Sequence, residues 1–145
     1  MKAVIQRVES ASVVVENITI SNIKTGLLIL LGIQKNDKLK DIEYLINKIS
    51  SLRIFNDENG MNLSVQDISG EILVISQFTL CADTSTGRRP NFLDAENSDV
   101  AKTMYELFCQ LLVKKKLSVS TGEFGAKMDV TLVNTGPVTI ILESK

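Results

Sequence analysis

Near the C-terminal end of the 145-residue sequence, apolar and polar positions alternate on both sides of a Gly-Pro dipeptide. The even-numbered positions of 128–132 and of 138–142 are apolar, whereas positions 129, 131, 139 and 143 are polar. This period of two is typical of a strand with one buried face. Because proline cannot donate to a sheet ladder, the pattern predicts two strand segments with the same buried face, interrupted at Asn134-Thr135-Gly136-Pro137.

The interruption is predicted to expose main-chain atoms. Gly136 has no side chain that would cover its amide and carbonyl, so Gly136-Pro137 would present bare peptide groups at the end of a rigid platform. A tight corner with proline at its third position needs a cis peptide bond, whereas an ordinary turn that only reverses the chain does not. The residues alone leave both geometries open.

The remaining pattern predicts further strands and two helices. The strands fall at residues 2–8, 12–15, 18–21, 27–33, 71–76 and 117–120. The first helix begins with a cap at Asn36 or Asp37 and ends at about Leu52, and the second is capped by Asn97 or Ser98. The buried face of the first helix is predicted to consist of Leu39, Ile42, Leu45, Ile46 and Ile49.

These elements predict one domain over residues 1–145, of the α+β class, with a sheet-dominated, barrel-like mixed sheet and two packed helices. Two cysteines, Cys81 and Cys109, have no CxxC spacing, which fits a reducing cytoplasm. The longest apolar run, residues 27–31, is too short to span a bilayer, so we expect no membrane association.

Charge and composition exclude several classes of function. A net charge of −1 argues against a general polyanion-binding protein, so we expect no DNA binding and assign any RNA contact to local patches. The chain contains no histidine, which excludes Ser-His-Asp and Cys-His catalysis and His-ligated zinc. No residues have metal-ligand spacing, and we expect neither a metal nor a cofactor.

Polar residues cluster where the strand at 71–76 ends. Ser76, Gln77 and Thr79 alternate with apolar residues there, and a strand end is a usual place for a site on a rigid scaffold. The alternative is a strand that merely leaves the sheet. A Ser76 or Thr79 nucleophile would lack a histidine to activate it, whereas a backbone anion hole needs none, and one such donor can be worth about 10²–10³ in rate.

Three other features each allow two interpretations. Arg88 and Arg89 lie in a Gly- and Pro-containing loop that either binds phosphate oxygens or is simply solvated. Lys114 and Lys115 either bind RNA or complement the dipole at the end of the second helix. Cys81 is either a reactive thiol or a small buried filler.

Five segments together resemble the D-aminoacyl-tRNA deacylase family. They are residues 1–8 (MKAVIQRV), 76–80 (SQFTL), 87–92 (GRRPNF), 124–128 (FGAKM) and 134–139 (NTGPVT), in the family's order and across essentially the whole chain. The combination of SQFTL with a late GPVT is highly specific. The resemblance implies a cytoplasmic homodimer that hydrolyses the ester joining a D-amino acid to tRNA.

The resemblance also assigns roles to residues. The two signatures of the family fall here on Ser76, Gln77, Phe78 and Thr79 and on Gly136-Pro137. The Gly-Pro bond is then expected to be cis and to enter the partner subunit's site, where fixed peptide groups exclude an L side chain. Glycine would escape this exclusion, so glycyl-tRNA mischarged on tRNA-Ala is an expected second substrate.

We favour a mechanism that uses no side-chain nucleophile. The amides around Phe78 and Thr79 would hold the oxyanion, Ser76 and Gln77 would orient the ester, and the 2′-hydroxyl of the terminal ribose would assist. One alternative keeps the substrate and makes Thr79 a covalent nucleophile. Another is a dimeric RNA-binding module without turnover.

Overall fold

The computed structural model describes residues 1–144 and confirms the α+β class. The strands are β1 (Lys2–Val15), β2 (Ile18–Ile23), β3 (Gly26–Gly32), β4 (Phe55–Asp57), β5 (Gly60–Leu63), β6 (Glu71–Ser76), β7 (Ser118–Thr121) and β8 (Asp129–Glu143). The helices are α1 (Leu39–Ser50) and α2 (Ser98–Lys114), and a short 3₁₀ turn spans Phe78–Cys81.

β4 and β5 form a separate hairpin, whereas the other six strands build one mixed, barrel-like sheet. Its order is β2-β1-β3-β6-β7, and β8 pairs antiparallel with β1. β3 and β6 are parallel, with Leu31 opposite Ser76. Parallel strands end at the same edge of a sheet, so the segments that follow β3 and β6 emerge side by side there.

The sheet is buried on both faces along β3 and β6. Leu27, Ile29 and Val74 belong to the core under the two helices, whereas Leu28 and Leu73 belong to a second core inside the curled sheet. A strand buried on both faces has no polar side. This explains the uninterrupted apolar run from 27 to 31.

Long-range contacts overturn the predicted start of α1. The cap predicted at Asn36 or Asp37 is wrong: Lys38 is the cap residue, and its amide donates to the Asp41 carboxylate at 2.8 Å. The Asp37 carboxylate instead accepts from the Met1 ammonium and the Gln34 amide, each at 2.6 Å. Leu39 was also wrongly assigned to the buried face, since it is exposed.

The C-terminal alternation is confirmed, with one continuous β8 in place of two strands. Val130 and Ile140 both lie on the half-buried side. Between the β1 partners of Asn134 and Thr139 the register jumps, so that 135–138 leave the ladder.

At α2, the cap is Asn97, whose side chain accepts from the Asp99 amide at 3.0 Å. Neither helix of the described chain has the length and apolarity that crossing a membrane requires.

Candidate functional site

A cavity of about 490 Å³ opens at the edge where β3 and β6 end. Its walls come from the residues after these strands, the start of α2 and the approach to β8. The lining residues are Ile33, Ile75, Ser76, Gln77, Phe78, Ala95, Glu96, Ser98, Ala101, Phe124, Gly125, Ala126, Met128 and Val130. Most are apolar, so the cavity is a largely apolar space with a few polar groups, as small-molecule sites usually are.

The 3₁₀ turn is anchored to the end of β3. The Gln77 amide donates to the Leu31 carbonyl at 2.8 Å, and the Leu80 amide donates back to the Gln77 carbonyl at 3.2 Å. Gly32 makes this packing feasible, because a Cβ there would stand 2.9 Å from the Leu80 Cβ. The glycine therefore lets the turn lie directly on the strand end, a role that sequence reasoning missed.

Two main-chain amides at the start of the turn have no acceptor in the described chain. Neither the Phe78 nor the Thr79 amide donates to a protein group within residues 1–144. The first amides of a helical turn point outward without an intrahelical partner. Phe78 lines the cavity and Thr79 follows it in the chain, and unpartnered main-chain donors can in general stabilise negative charge on a bound group.

The four residues of the SQFTL segment that sequence reasoning singled out do not share one environment. Ser76, Gln77 and Phe78 line the cavity, whereas Thr79 is exposed and is absent from its lining. The Thr79 hydroxyl accepts a hydrogen bond from the Gln77 side-chain amide. The structure thus links Thr79 to the cavity lining through Gln77.

The loop that carries Arg88 and Arg89 lies beside the cavity. Two main-chain hydrogen bonds between Asp83 and Asn91, at 2.9 and 3.0 Å, close the loop. The Phe92 ring packs edge-on against Phe78 with 5.1 Å between centroids. Both arginines are exposed, and within residues 1–144 neither lies within ion-pair distance of a carboxylate.

Lys114 and Lys115 lie away from this edge. They precede β7, whose Ser118 is opposite Glu71 at the amino end of β6. Ser76 stands at the other end of β6, and five residue steps along a strand cover about 16 Å. The structure therefore does not bring these lysines together with the cavity.

The Gly136-Pro137 corner projects from β8, and its peptide bond is cis. Thr135, Gly136 and Pro137 are all exposed. The Asn134 side chain pins the base of the corner, because its oxygen accepts from the Val138 amide at 3.1 Å and its nitrogen donates to Thr139 at 2.9 Å.

Arg7 supports the corner from beneath, and sequence reasoning assigned it no role. Its Nε donates to the Thr135 carbonyl at 3.1 Å and its Nη1 to the Ile54 carbonyl at 2.5 Å. The side chain is 9 % exposed. A cation between the apolar residues Ile5 and Val8 of β1 was the signal available in the sequence, since a buried arginine needs acceptors.

The corner does not line the cavity of its own chain. Neither Gly136 nor Pro137 belongs to the lining of the cavity beside Ser76. The atoms nearest to a Cβ added at Gly136 belong to Arg7 and Val138. Within the described chain, the Gly136-Pro137 dipeptide therefore stands apart from the cavity beside Ser76.

Burial makes Cys81 a poor nucleophile. The side chain is 3 % exposed, and its thiol contacts the Ile33 carbonyl at 3.5 Å. Desolvation raises the pKa of Cys81 and raises the pKa of Cys109 to about 12. Within the described chain, no group of three or more His, Cys, Asp or Glu side chains is arranged to hold a metal ion.

Treatment with a thiol-alkylating reagent should therefore leave the protein active. We expect iodoacetamide at pH 8 to leave Cys81 unmodified over a period in which free cysteine, of pKa about 8.5, reacts completely. The reason is that the raised pKa and burial keep the thiol protonated and inaccessible. Mass spectrometry and an activity assay on the same sample check this. Modification of Cys81 in the folded protein with loss of activity would contradict it.

Comparison with known proteins decides the family. The model of the family described as D-Tyr-tRNA(Tyr) deacylase matches residues 4–143. This chain belongs to that family. Deacylation of a tRNA is hydrolysis of a carboxylic ester, so membership makes the chain a hydrolase.

Similar proteins support the family along the whole chain. A D-aminoacyl-tRNA deacylase of Thermosipho africanus is 55 % identical over 146 residues, covering 100 % of this chain and 98 % of the relative. One of Thermotoga petrophila is 54 % identical, with 99 % and 97 % covered. A structure titled c-Myc DNA Unwinding Element Binding Protein is 44 % identical, with a TM-score of 0.94 and 100 % and 99 % coverage. A probable eukaryotic D-amino acid tRNA deacylase, 16 % identical with a TM-score of 0.81 and 98 % of each chain covered, shares the fold.

Proposed function

We propose that this protein is a cytoplasmic, homodimeric deacylase that releases D-amino acids from tRNA, in which a second copy of the chain completes each cavity. The observation that carries the proposal is the pair of unpartnered amides of Phe78 and Thr79 beside the cavity in a chain of the deacylase family. An ester bound there would have its carbonyl oxygen facing two fixed N–H donors. Such donors stabilise the oxyanion that forms when water attacks an ester.

Ester activation needs no protein nucleophile in this scheme. The chain has no histidine, and burial raises the pKa of both cysteines. The reacting ester carries its own hydroxyl, the neighbouring 2′-OH of the terminal ribose, which can assist the attack of water as a general base or hydrogen-bond donor. Ser76 and Gln77, which line the cavity, would orient the ester.

Stereochemical choice would come from the Gly136-Pro137 corner of the second copy. The corner is exposed, and Arg7 and Asn134 hold its flanks. Main-chain atoms cannot move aside by changing rotamer, so an L side chain that met them would be rejected, whereas a D side chain would point away. Glycine has no side chain to reject, and glycyl-tRNA is therefore included as a substrate.

The direct test compares D-tyrosyl-, L-tyrosyl- and glycyl-tRNA. We expect release of D-tyrosine and glycine well above spontaneous hydrolysis, and release of L-tyrosine at the spontaneous rate, because only L presents a side chain to the corner. Equal release of both tyrosine enantiomers would contradict the stereochemical part alone. Absence of any release would contradict the enzymatic part.

Thr79→Ala should retain substantial activity. The proposed contribution of Thr79 is its main-chain amide, and its exposed hydroxyl contacts Gln77. We expect kcat/KM for D-tyrosyl-tRNA to fall less than about 10-fold, whereas loss of a true serine-type nucleophile costs on the order of 10⁶ in kcat. Trapping of an acyl-enzyme after rapid quench, or a folded but inactive variant, would support the covalent alternative.

A nucleic-acid-binding role without turnover is the second candidate. It draws on the exposed Arg88 and Arg89 and on the 44 % identical structure whose title names a DNA element. Measuring deacylation and binding on one preparation separates the candidates. Tight binding of tRNA or duplex DNA with no released amino acid would favour this role, whereas catalytic release with weak duplex DNA binding would favour the deacylase.

A further inference from the structure

A second depression adjoins the cavity beside Ser76, and nothing in the proposed mechanism uses it. The two spaces share a wall, because Ile33 lines the cavity and the next residue, Gln34, lines the depression. The depression has a volume of about 390 Å³ and is lined by Met1, Gln34, Lys35, Asn36, Asp37, Lys38, Lys40, Asp41 and Ser144. We call it the lysine depression, after its three lysines.

Main-chain hydrogen bonds fix the wall between the two spaces. Gln34 forms an antiparallel bridge with Ala95, which lines the cavity. The Lys35 amide donates to the Asp94 carbonyl at 2.9 Å. Two residue steps cover at most about 7 Å, so the main chain of Lys35 stands that close to Ile33. The lysine depression therefore begins at the rim of the cavity.

The carboxylates of the lysine depression are engaged, whereas its lysines are not. The Asp37 carboxylate pairs with the Met1 ammonium at 2.6 Å. Asp41 is 7 % exposed, and its carboxylate accepts from the Lys38 amide at 2.8 Å. All three lysines are exposed, and within residues 1–144 none lies within 4.0 Å of a carboxylate. Unpaired positive charge is thus concentrated beside the cavity in a chain whose net charge is −1.

A tRNA ester in the cavity requires such a surface. When the terminal nucleoside is inside, the preceding nucleotides extend over the rim, and each of them carries a phosphate. Lysine ammonium groups attract phosphates, and the release of counterions makes this attraction dependent on salt. The exposed Arg88 and Arg89 lie on the loop beside the same cavity, so cations flank the rim on two sides.

We propose that the lysine depression binds phosphates of the tRNA strand that leaves the cavity of the same chain. This inference rests on the proposed function, because it takes the 3′ end of a tRNA to lie in that cavity. The three lysines hold the substrate and contact no reacting atom. They therefore determine kcat/KM and its dependence on salt, and leave kcat unchanged.

The test is a variant that carries Lys35→Gln, Lys38→Gln and Lys40→Gln together. Each phosphate contact of a single strand contributes about 0.7 to the slope of log kcat/KM against log salt concentration, so the slope should become less steep by about 2. We expect kcat/KM for D-tyrosyl-tRNA to fall at least about 10-fold at about 50 mM salt, and the loss to shrink as salt is added. Loss of binding alone leaves kcat within about 2-fold of the wild-type value.

The matched control removes the same charge at the other end of the sheet. It carries Lys114→Gln, Lys115→Gln and Lys116→Gln, three exposed lysines that lie beyond the end of β6 opposite to Ser76. This control variant should have the wild-type kcat/KM and the wild-type slope. Circular dichroism establishes that both variants are folded.

The possible results separate the inference from the proposed function. Wild-type kcat/KM and slope in the Lys35, Lys38 and Lys40 variant would overturn the inference while deacylation stands, and so would a loss that added salt does not reduce. A shallower slope in the control variant would place the phosphates at the other end of the sheet and would also overturn it. Failure of the wild-type protein to release D-tyrosine would overturn the proposed function together with the inference.

Discussion

Deacylation of D-tyrosyl-tRNA should slow by about 100-fold when the terminal adenosine lacks its 2′-hydroxyl. Positioned proton-transfer groups contribute about 10²–10⁴ to rate, and the chain has no histidine to supply one. The cavity lining offers the Ser76 hydroxyl, the Gln77 side-chain amide and the Phe78 main-chain amide. The measurement is single-turnover release of tyrosine from the 2′-deoxy and the natural substrate.

Binding must be separated from chemistry in that experiment. We expect the dissociation constant of the 2′-deoxy substrate to change less than about 10-fold, because one exposed hydroxyl contributes about 0.5–1.5 kcal/mol to binding. A 2′-deoxy substrate that is cleaved at the natural rate would show that the protein provides the activating group. Ser76 and Glu96 would then become the side chains to examine.

Gly136→Val should reduce kcat/KM for D-tyrosyl-tRNA by about 100-fold, since a misplacement of about 1 Å can cost that much. Gly136 has φ +118°, which a β-branched residue rarely adopts. A Cβ there would also stand 2.5 Å from Arg7 Nη2, so that either the corner or the Arg7 side chain that supports it must shift. Steady-state deacylation of both tyrosine enantiomers is the measurement, and the D-to-L preference should fall with the D rate.

Thr131→Ala is the control for that variant. Thr131 is an exposed position of β8 outside the corner, so its replacement should leave the rate and the enantiomer preference unchanged. Circular dichroism and sedimentation establish that both variants are folded and have the same oligomeric state. A folded Gly136→Val protein with the wild-type rate and preference would remove the corner from the mechanism.

Local patterns predicted much of the fold because their physical causes are local. The alternation along β8 follows from one half-buried face, and the Gly-Pro dipeptide interrupts the ladder because proline has no N–H to donate. The predicted cap of α1 was wrong because its cause is not local. Asp37 is held by Met1, which is distant in sequence, and no local pattern contains that contact.

The residues of the candidate site likewise fall into those that local sequence predicts and those that depend on long-range contacts. Ser76, Gln77 and Phe78 reach the cavity because they lie at the end of a buried strand or directly after it, which is a feature of the local sequence. The position of Lys115 at the far end of β6 depends on the parallel register of β6 and β7, which composition does not encode. The contact between Arg7 and Thr135 joins residues 128 positions apart.

The central claim is that the Gly136-Pro137 corner of one copy enters the cavity of the other. Heterodimers of two defined variants test this claim most directly. One subunit would carry Ala126→Trp, which fills the cavity, and the other Gly136→Val, which displaces the corner. Each homodimer should have at most about 1 % of the wild-type activity, since a misplacement of about 1 Å can cost about 100-fold. The heterodimer, isolated with two affinity tags, retains one intact cavity facing one intact corner, and should have about half the wild-type activity with its full D-preference. An inactive heterodimer made of folded, paired subunits would show that each cavity works with the corner of its own chain, and would contradict the account.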